Sequence, residues 1–302
     1  MAMLFEGRVM RGVGGLYEVR IPDGDGERYV TCRGRGILRR DDDKLLVGDL
    51  CLVRLEGEEA VIEKILPRRT ALIRPPLSNL DYLFIVTAAS HPAPSTDTLD
   101  KLTAITVHNG IIPVMVVTKA DIDEAAADSL ASIYRAAGFP VFVLSPEKDS
   151  TALAAYIAAH IRDGRCAAFA GASGVGKSTL LNRLFPALSL ATGDISRKIS
   201  RGRHTTRSVE LFLTPEGGFL ADTPGFSMLD FLRFDFFTLE DLPATFPEFL
   251  CELGGCRYAD CTHTGEVDCG VAIAVREGRI AQSRHDSYRA LYKVLKDKKN
   301  RY

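Results

Sequence analysis

The sequence predicts an α/β protein of three domains, and three observations carry that reading. Short strand-like runs cut by Gly and Asp turns fill 1–70, apolar strands alternate with helical stretches over 71–230, and 231–302 is Cys-rich, basic and mainly helical. A chain of 302 residues has the length for two or three domains, each with its own core. Hydrophobic residues at 46% and charged residues at 25% match ordinary globular composition, which excludes disordered and fibrous classes. The apolar run 111–117 has only seven residues and contains Pro113. A membrane helix needs about 20, so no membrane partner is expected. Glu6 and Arg8 stand where a signal peptide would be apolar, so a cytoplasmic location is expected. Seven Cys is an odd number in a long chain, which argues against a disulfide framework and, where they cluster, for a metal.

In the first domain the strand candidates are 8–10, 17–21, 29–32, 50–55 and 60–65. Five short strands in so little chain predict a small closed barrel of OB type, with an SH3-like barrel as the alternative. Arg33, Arg35, Arg39 and Arg40 share one turn that suits nucleic acid, although Asp41, Asp42 and Asp43 follow at once. Pro67 and the Pro75-Pro76 pair mark a linker. In the second domain strands are expected at 82–87, 113–118, 141–144, 166–170, 209–213 and 219–221, and helices at 98–108, 123–137, 151–162 and 177–185. That alternation predicts a largely parallel sheet with helices on both faces. Beyond Pro224 the chain turns Phe-rich, then Cys-rich, and closes on a basic helix from about Asp286.

The net charge of -1 conceals local imbalance. From Arg276 onward nine basic residues face three acidic ones, and Arg197, Lys198, Arg201, Arg203 and Arg207 form a second cluster with no acid between Ser196 and Ser208. Such patches are either phosphate-binding footprints or solvated faces.

The strongest chemical signal is Gly171, Ala172, Ser173, Gly174, Val175, Gly176, Lys177 and Ser178, which satisfies the P-loop pattern G-x-x-x-x-G-K-[ST]. Its glycines let backbone N–H groups curl around phosphates, Lys177 reaches the terminal phosphates, and the Ser178 hydroxyl suits Mg2+. An apolar strand precedes it and a helix follows, whose N-terminus favours anions. Downstream, Asp222-Thr-Pro-Gly225 gives D-x-x-G after a short strand: Asp222 to hold Mg2+ through water, and the Gly225 N–H to sense a γ-phosphate. Between the two motifs, Thr205 or Thr206 is placed to complete the Mg2+ shell. Loop, threonine and D-x-x-G in that order describe a GTPase.

The base-reading motif N-K-x-D should then follow, and nothing after Asp222 matches it. It occurs upstream as Thr118-Lys119-Ala-Asp121, with Ser145 suited to a backbone contact to guanine O6. The Asp121 carboxylate would accept hydrogen bonds from guanine N1 and N2, and the Lys119 stem would lie along the base. The motif order is therefore permuted. Thr118 offers one hydroxyl where GTPases usually carry an Asn amide, so a weaker link to the P-loop is expected. Phe226 follows Gly225, where Ras-type enzymes carry the glutamine that orients water, and His204 is the nearest replacement in sequence. Cys256, Cys261, His263 and Cys269 make a closed tetrahedral set suited to Zn2+, in a spacing that is not a standard finger. Free structural thiols are the alternative, and Cys251 is a fifth candidate ligand.

T-K-A-D before G-A-S-G-V-G-K-S, then G-R-H-T-T-R and D-T-P-G-F, with a barrel ahead and a Cys cluster behind, resembles the RsgA family over essentially the whole chain. These are circularly permuted bacterial GTPases that depend on the small ribosomal subunit. The resemblance implies a circularly permuted P-loop GTPase domain flanked by an OB-like barrel and a zinc-binding, mainly helical C-terminal domain. It implies hydrolysis of GTP to GDP and phosphate, stimulated by the 30S subunit during its late maturation, with 16S rRNA as the bound surface. It implies His204 as catalytic, Mg2+ with GTP, and one structural zinc on Cys256, Cys261, His263 and Cys269, leaving Cys251 out. A monomer is expected. The competing classes are a P-loop ATPase or kinase, which has no need of Lys119 and Asp121, and a nucleotide-gated RNA-binding module without turnover.

Overall fold

Five strands open the chain, β1 (Met3–Val13), β2 (Leu16–Asp23), β3 (Gly26–Gly34), β4 (Leu50–Glu56) and β5 (Glu59–Ile65), each longer than its most apolar stretch. The computed structural model describes residues 3–34, 44–57, 59–73, 75–146, 150–186, 209–222 and 235–300, with the Asp222 side chain left out. Val9, Val19, Ile21, Cys32, Cys51, Val53 and Ile62 turn inward and are closed to solvent, giving the barrel its core. Burial pushes the Cys32 thiol up to about 11 and that of Cys51 to about 12, so both act as small apolar residues.

Closure follows from the pairing. β1 runs antiparallel to β2 and to β4, β2 to β3, and β4 to β5, while β3 meets β5 in parallel at Arg33↔Val61 and Gly34↔Ile62. The circuit β1-β2-β3-β5-β4 returns to β1 and leaves a closed five-stranded barrel. One strand serves two neighbours because β1 is long: 3–8 pair with β4 and 8–13 with β2, with a bulge between Val9 and Arg11 that turns the strand.

Among the described residues the remaining elements are β6 (Ala71–Leu72), β7 (Leu77–Ser78), β8 (Tyr82–Ala88), α1 (Thr96–His108), β9 (Ile112–Thr118), α2 (Glu124–Ala136), β10 (Val141–Val143), α3 (Thr151–His160), β11 (Cys166–Ala170), α4 (Lys177–Leu184), β12 (Glu210–Leu213), β13 (Phe219–Asp222), α5 (Pro247–Leu250), α6 (Gly270–Arg276) and α7 (Gln282–Lys299). Single 3-10 turns lie at Leu242–Thr245 and Leu253–Gly255. The chain divides into two compact units. One comprises Met1–Tyr82, Ala155–Phe169 and Leu181–Phe226; the other comprises Leu83–Ala154, Ala170–Leu180 and Ser227–Tyr302.

In the first unit, β11 and β13 pair in parallel, β12 and β13 pair antiparallel, and β12 reaches β1 at Arg11↔Glu210. The antiparallel pair departs from the expected run of parallel strands. Only 214–218 join β12 to β13, too short for a crossover, so the chain turns back as a hairpin. In the second unit β8, β9 and β10 lie in the order β10-β9-β8, with β10 parallel to β9. β8 is buried at all seven positions, as a strand covered on both faces must be. α1 is capped by Ser95, whose Oγ accepts from Thr98 N at 3.3 Å, and α2 by Asp123, which accepts from Ala126 N at 2.9 Å. α7 begins four residues before the expected Asp286, because its inner face carries Arg284 and His285, which read as polar in sequence yet are buried.

Arg68 is one of the linker's anchors. Arg68 forks onto Asp49, with Nε to Oδ1 at 2.7 Å and Nη2 to Oδ2 at 2.8 Å, and Leu46 N also donates to Oδ2 at 2.8 Å. The Asp49 carboxylate is fully buried, whereas Arg68 keeps contact with water. Removing the guanidinium strands a buried charge; removing the carboxylate does not. Arg68→Ala should therefore lose about 3 kcal/mol in urea unfolding, and clearly more than Asp49→Asn.

Candidate nucleotide site and Cys cluster

β11 is buried throughout and delivers the chain to Gly171. A Cβ at Gly171 would lie 2.3 Å from Val86 O, so only glycine lets the loop leave the strand against β8. Gly176 has φ 90°, which suits glycine, and its carbonyl accepts the Leu180 N–H at 2.9 Å to open α4. Ala172, Ser173 and Gly174 are exposed, Val175 is buried, and Lys177 and Ser178 form the first turn of α4 half-buried. The result is an exposed arc of backbone ending on a helix N-terminus, an arrangement that attracts phosphate.

β9 ends on Thr118, which is buried. Its Oγ1 donates to Val175 O at 2.5 Å and lies 3.1 Å from Thr87 O. The Thr118 link to the P-loop is thus one short, buried hydrogen bond. Lys119 has φ 57°, and its Nζ donates to Gly174 O at 2.7 Å and to His91 O at 2.6 Å. Ala120 N donates to Leu144 O at 3.1 Å and Leu144 N to Val117 O at 2.7 Å, which holds buried Ser145 beside the T-K-A-D turn. Asp121 itself is exposed. The structure therefore brings Thr118, Lys119, Asp121 and Ser145 together with Gly171–Ser178 in one unit. His91 and Thr87, whose carbonyls complete the link, carry no signal in sequence because backbone atoms do the work.

Beside the loop lies a cavity of about 180 Å³, lined by Thr98, Leu99 and Leu102 of α1 and by Gly171, Ala172 and Val175. α1 therefore forms one wall of that cavity. Asp222 ends β13, whose Ala221 pairs with Ala168 of β11. His204, Thr205, Thr206 and Gly225 lie outside the described residues.

In the Cys cluster, the Sγ atoms of Cys256, Cys261 and Cys269 and a ring nitrogen of His263 lie within 4.8 Å of one another. His263 Nδ1 is 3.6 Å from both Cys256 Sγ and Cys269 Sγ. Burial lowers the His263 pKa and favours the neutral ring that ligates metal. Burial, with the thiols of Cys269 and Cys256, pushes Cys261 up to about 12. Four converging donors of this chemistry suit a metal ion. The cluster's loop is braced by residues that spacing does not reveal. Glu266 accepts from Thr262 N and Thr264 N at 2.9 Å and from Gly265 N at 3.1 Å, and despite burial these donors and the Thr262 hydroxyl bring its pKa to about 2. From α7, His285 Nε2 lies 2.7 Å from His263 O and Tyr288 OH donates to Thr262 O at 3.0 Å. Cys251 is exposed and outside the cluster.

Residues 65–232 match the RsgA GTPase family and residues 6–62 match the RsgA N-terminal domain. This chain belongs to the RsgA GTPase family. The small ribosomal subunit biogenesis GTPase RsgA of Bacillus subtilis is 39% identical over 303 residues, covering 98% of this chain and 99% of that protein. Its counterpart from Moorella thermoacetica is 41% identical over 286 residues, with 94% of each chain covered. The crystal structure of YloQ, a circularly permuted GTPase, superposes with TM-score 0.77 at 36% identity, covering 99% of this chain and 98% of the other. YjeQ from Thermotoga maritima gives TM-score 0.78 at 29% identity, with 97% and 99% covered. An RsgA GTPase is a GTP hydrolase, and in this member the base motif on β9 precedes the P-loop after β11. Among the described residues no helix is long and apolar enough to cross a membrane.

The raised Cys261 thiol gives the metal centre a measurable signature. Metal entry must displace protons, so titrating the metal-stripped protein in weak buffer should release acid, and metal affinity should fall as pH is lowered from 8 to 6. Cys261→Ser should bind less than one metal per chain by elemental analysis; full occupancy would remove Cys261 from the ligand set.

Proposed function

We propose that this protein acts in biogenesis of the small ribosomal subunit, hydrolysing GTP to GDP and phosphate at a rate raised by the 30S particle. One observation carries the reading: in a chain matching the RsgA family, Thr118 and Lys119 of the upstream base motif bind the carbonyls of Val175 and Gly174. That joins a guanine reader to a phosphate loop as one rigid site. Asp121 reads the guanine edge, Lys119 flanks the base, and Ser145 lies at its O6. Gly171–Ser178 cradle the phosphates, with Lys177 toward the terminal ones. When bound with GTP, Mg2+ neutralises phosphate charge, and Ser178, Thr205 or Thr206, and Asp222 are the residues suited to hold it. Gly225 senses the γ-phosphate.

The Cys cluster is read as a structural zinc site. With Zn–S near 2.3 Å and Zn–N near 2.0–2.1 Å, a tetrahedral ion separates sulfur from nitrogen by about 3.6 Å, and both measured Sγ to Nδ1 distances are 3.6 Å. We place domain boundaries near 70 and 230, with barrel and basic α7 gripping 16S rRNA; exposed Arg289, Lys293 and Lys296 support the α7 part. The protein acts as a monomer in the cytoplasm. Phe226 removes the usual water-orienting amide, so isolated turnover is slow, and His204 is the residue that orients water once rRNA phosphates neutralise Arg201, Arg203 and Arg207 around it.

The reading is tested by GTP turnover with and without purified small subunits; a rate indifferent to the subunit rejects it. Asp121→Asn should weaken GTP binding about tenfold or more, since hydrogen bonds to a charged group contribute about 1.5–3 kcal/mol, and should shift preference toward xanthine nucleotides, whose C2 carbonyl needs a donor. Unchanged GTP affinity would remove Asp121 from the base site. His204→Ala should keep GTP and subunit binding but lose roughly 10²-fold of the stimulated rate. Stimulation surviving intact in His204→Ala would mean that the ribosome supplies the missing group.

A further inference from the structure

α7 carries, on consecutive residues, contacts to two different places. His285 and, one turn on, Tyr288 hold the carbonyls of His263 and Thr262 in the Cys cluster loop. Arg284 turns instead to α1: its Nη1 donates to Asp100 Oδ1 at 2.8 Å and Thr103 Oγ1 at 2.9 Å, while Nε donates to Glu248 Oε1 of α5 at 2.6 Å. Arg284 is only 1% exposed, and its guanidinium carbon sits 4.5 Å from the centre of the Phe246 ring. Asp100 also accepts from Tyr134 OH of α2 at 2.9 Å. The opposite side of α1 forms the wall of the P-loop cavity through Thr98 and Leu102. At about 100° per residue these two lie roughly 160–200° around the helix from Asp100, and Leu99, which also lines the cavity, about 100°. α1 is therefore gripped by the C-terminal helix on one face and set against the phosphate loop on the other.

The grip is not arranged for stability alone. Arg284 divides its fork between two carboxylates, and Asp100 Oδ2 is buried with no hydrogen-bond partner among the described residues. A buried charge network that leaves an oxygen unsatisfied costs free energy that an apolar contact would not. What it supplies is a fixed seat and angle for α1. We propose that Arg284 is a positioning residue that couples metal occupancy of the Cys cluster to the nucleotide site, by fixing α1 against the P-loop. The inference rests on the reading of those two sites given above. Metal fixes the 256–269 loop, the loop fixes α7 through His285 and Tyr288, and α7 fixes α1 through Arg284. Nucleotide and metal then favour each other reciprocally.

The experiment uses the full-length protein, with affinity for a fluorescent GDP analogue measured in zinc-loaded and chelator-stripped samples. Stripping should weaken the analogue at least fivefold, at the low end of ordinary coupling, and should speed amide exchange across 96–108. Arg284→Lys keeps a cation but not the fork; it should retain zinc while its analogue affinity becomes the same loaded or stripped. Should that variant fail to fold, Asp100→Asn, which leaves Arg284 with Glu248, is expected to uncouple the sites in the same way. Val271→Ala loosens the core beside α6 without touching this contact, so it should keep the metal response, whereas a purely structural role for Arg284 would make both variants behave alike. A protein that takes up neither zinc nor guanine nucleotide overturns the proposed function together with this inference. One that takes up both, with affinity unchanged on stripping or with the response intact in Arg284→Lys, overturns this inference alone.

Discussion

A backbone arc that aims its N–H groups at a phosphate turns carbonyls the other way, and those carbonyls need donors of their own. Here the donors come from the end of a single strand. Thr118 Oγ1 satisfies Val175 and Lys119 Nζ satisfies Gly174, while the same ammonium takes His91 O. Lys119 adopts a left-handed backbone to do so, which costs about 1–2 kcal/mol for a residue other than glycine and persists because two charge-assisted bonds hold it. Phosphate loop and base turn thereby become one piece. Their relation is fixed through space, by side chain to carbonyl, and not by their order along the chain. That is the physical reason a permuted order can preserve the site: β8 to β10 need only fold beside the loop, before it in sequence or after it.

Permutation changes what is attached to that site instead. In the first unit the barrel is joined to the hairpin that ends on Asp222. β1 pairs with β12 at Arg11↔Glu210, an opposite-charge cross-strand pair, and Arg8 and Arg20 flank the Phe219 ring at 4.4 and 5.3 Å from its centroid. Burial lowers the Arg8 pKa, the cost of placing a cation against that ring. The strand that presents Asp222 is thus in contact with the barrel on one side and leads, in sequence, toward the Cys cluster.

The parts of this protein legible in its sequence are those where residue identity carries the chemistry. The P-loop, the T-K-A-D turn and the Cys256, Cys261, His263 and Cys269 set are recognisable because few other residues serve, and the structure brings each group together. Strands such as β8 and β11 were legible as unbroken apolar runs. The antiparallel turn of β12 onto β13 was hidden because a short apolar strand looks the same in either direction, and only the five-residue connection between them decides. The start of α7 was hidden because Arg284, His285 and Ser287 occupy its buried face, which defeats hydrophobic periodicity. Thr118 offers one hydroxyl where Asn would offer an amide, and that hydroxyl donates to Val175 O at 2.5 Å.

The same reasoning explains why polar groups occupy the inner face of α7. Two helices joined by aliphatic contacts alone can slide or rotate by a fraction of a turn at little cost, since one leucine-sized pocket resembles the next. A guanidinium held between Asp100 and Glu248 has no equivalent position half a turn away, because any shift leaves a buried carboxylate without its cation. Burial opposes the charge on Arg284, but the two carboxylates outweigh it and hold its pKa above the ordinary arginine value. In the C-terminal segment the converging side chains of the Cys cluster and this charge network add definition to what apolar burial supplies. Because Asp100 lies on the helix that also walls the cavity beside the P-loop, the register fixed at that contact is inherited by that wall.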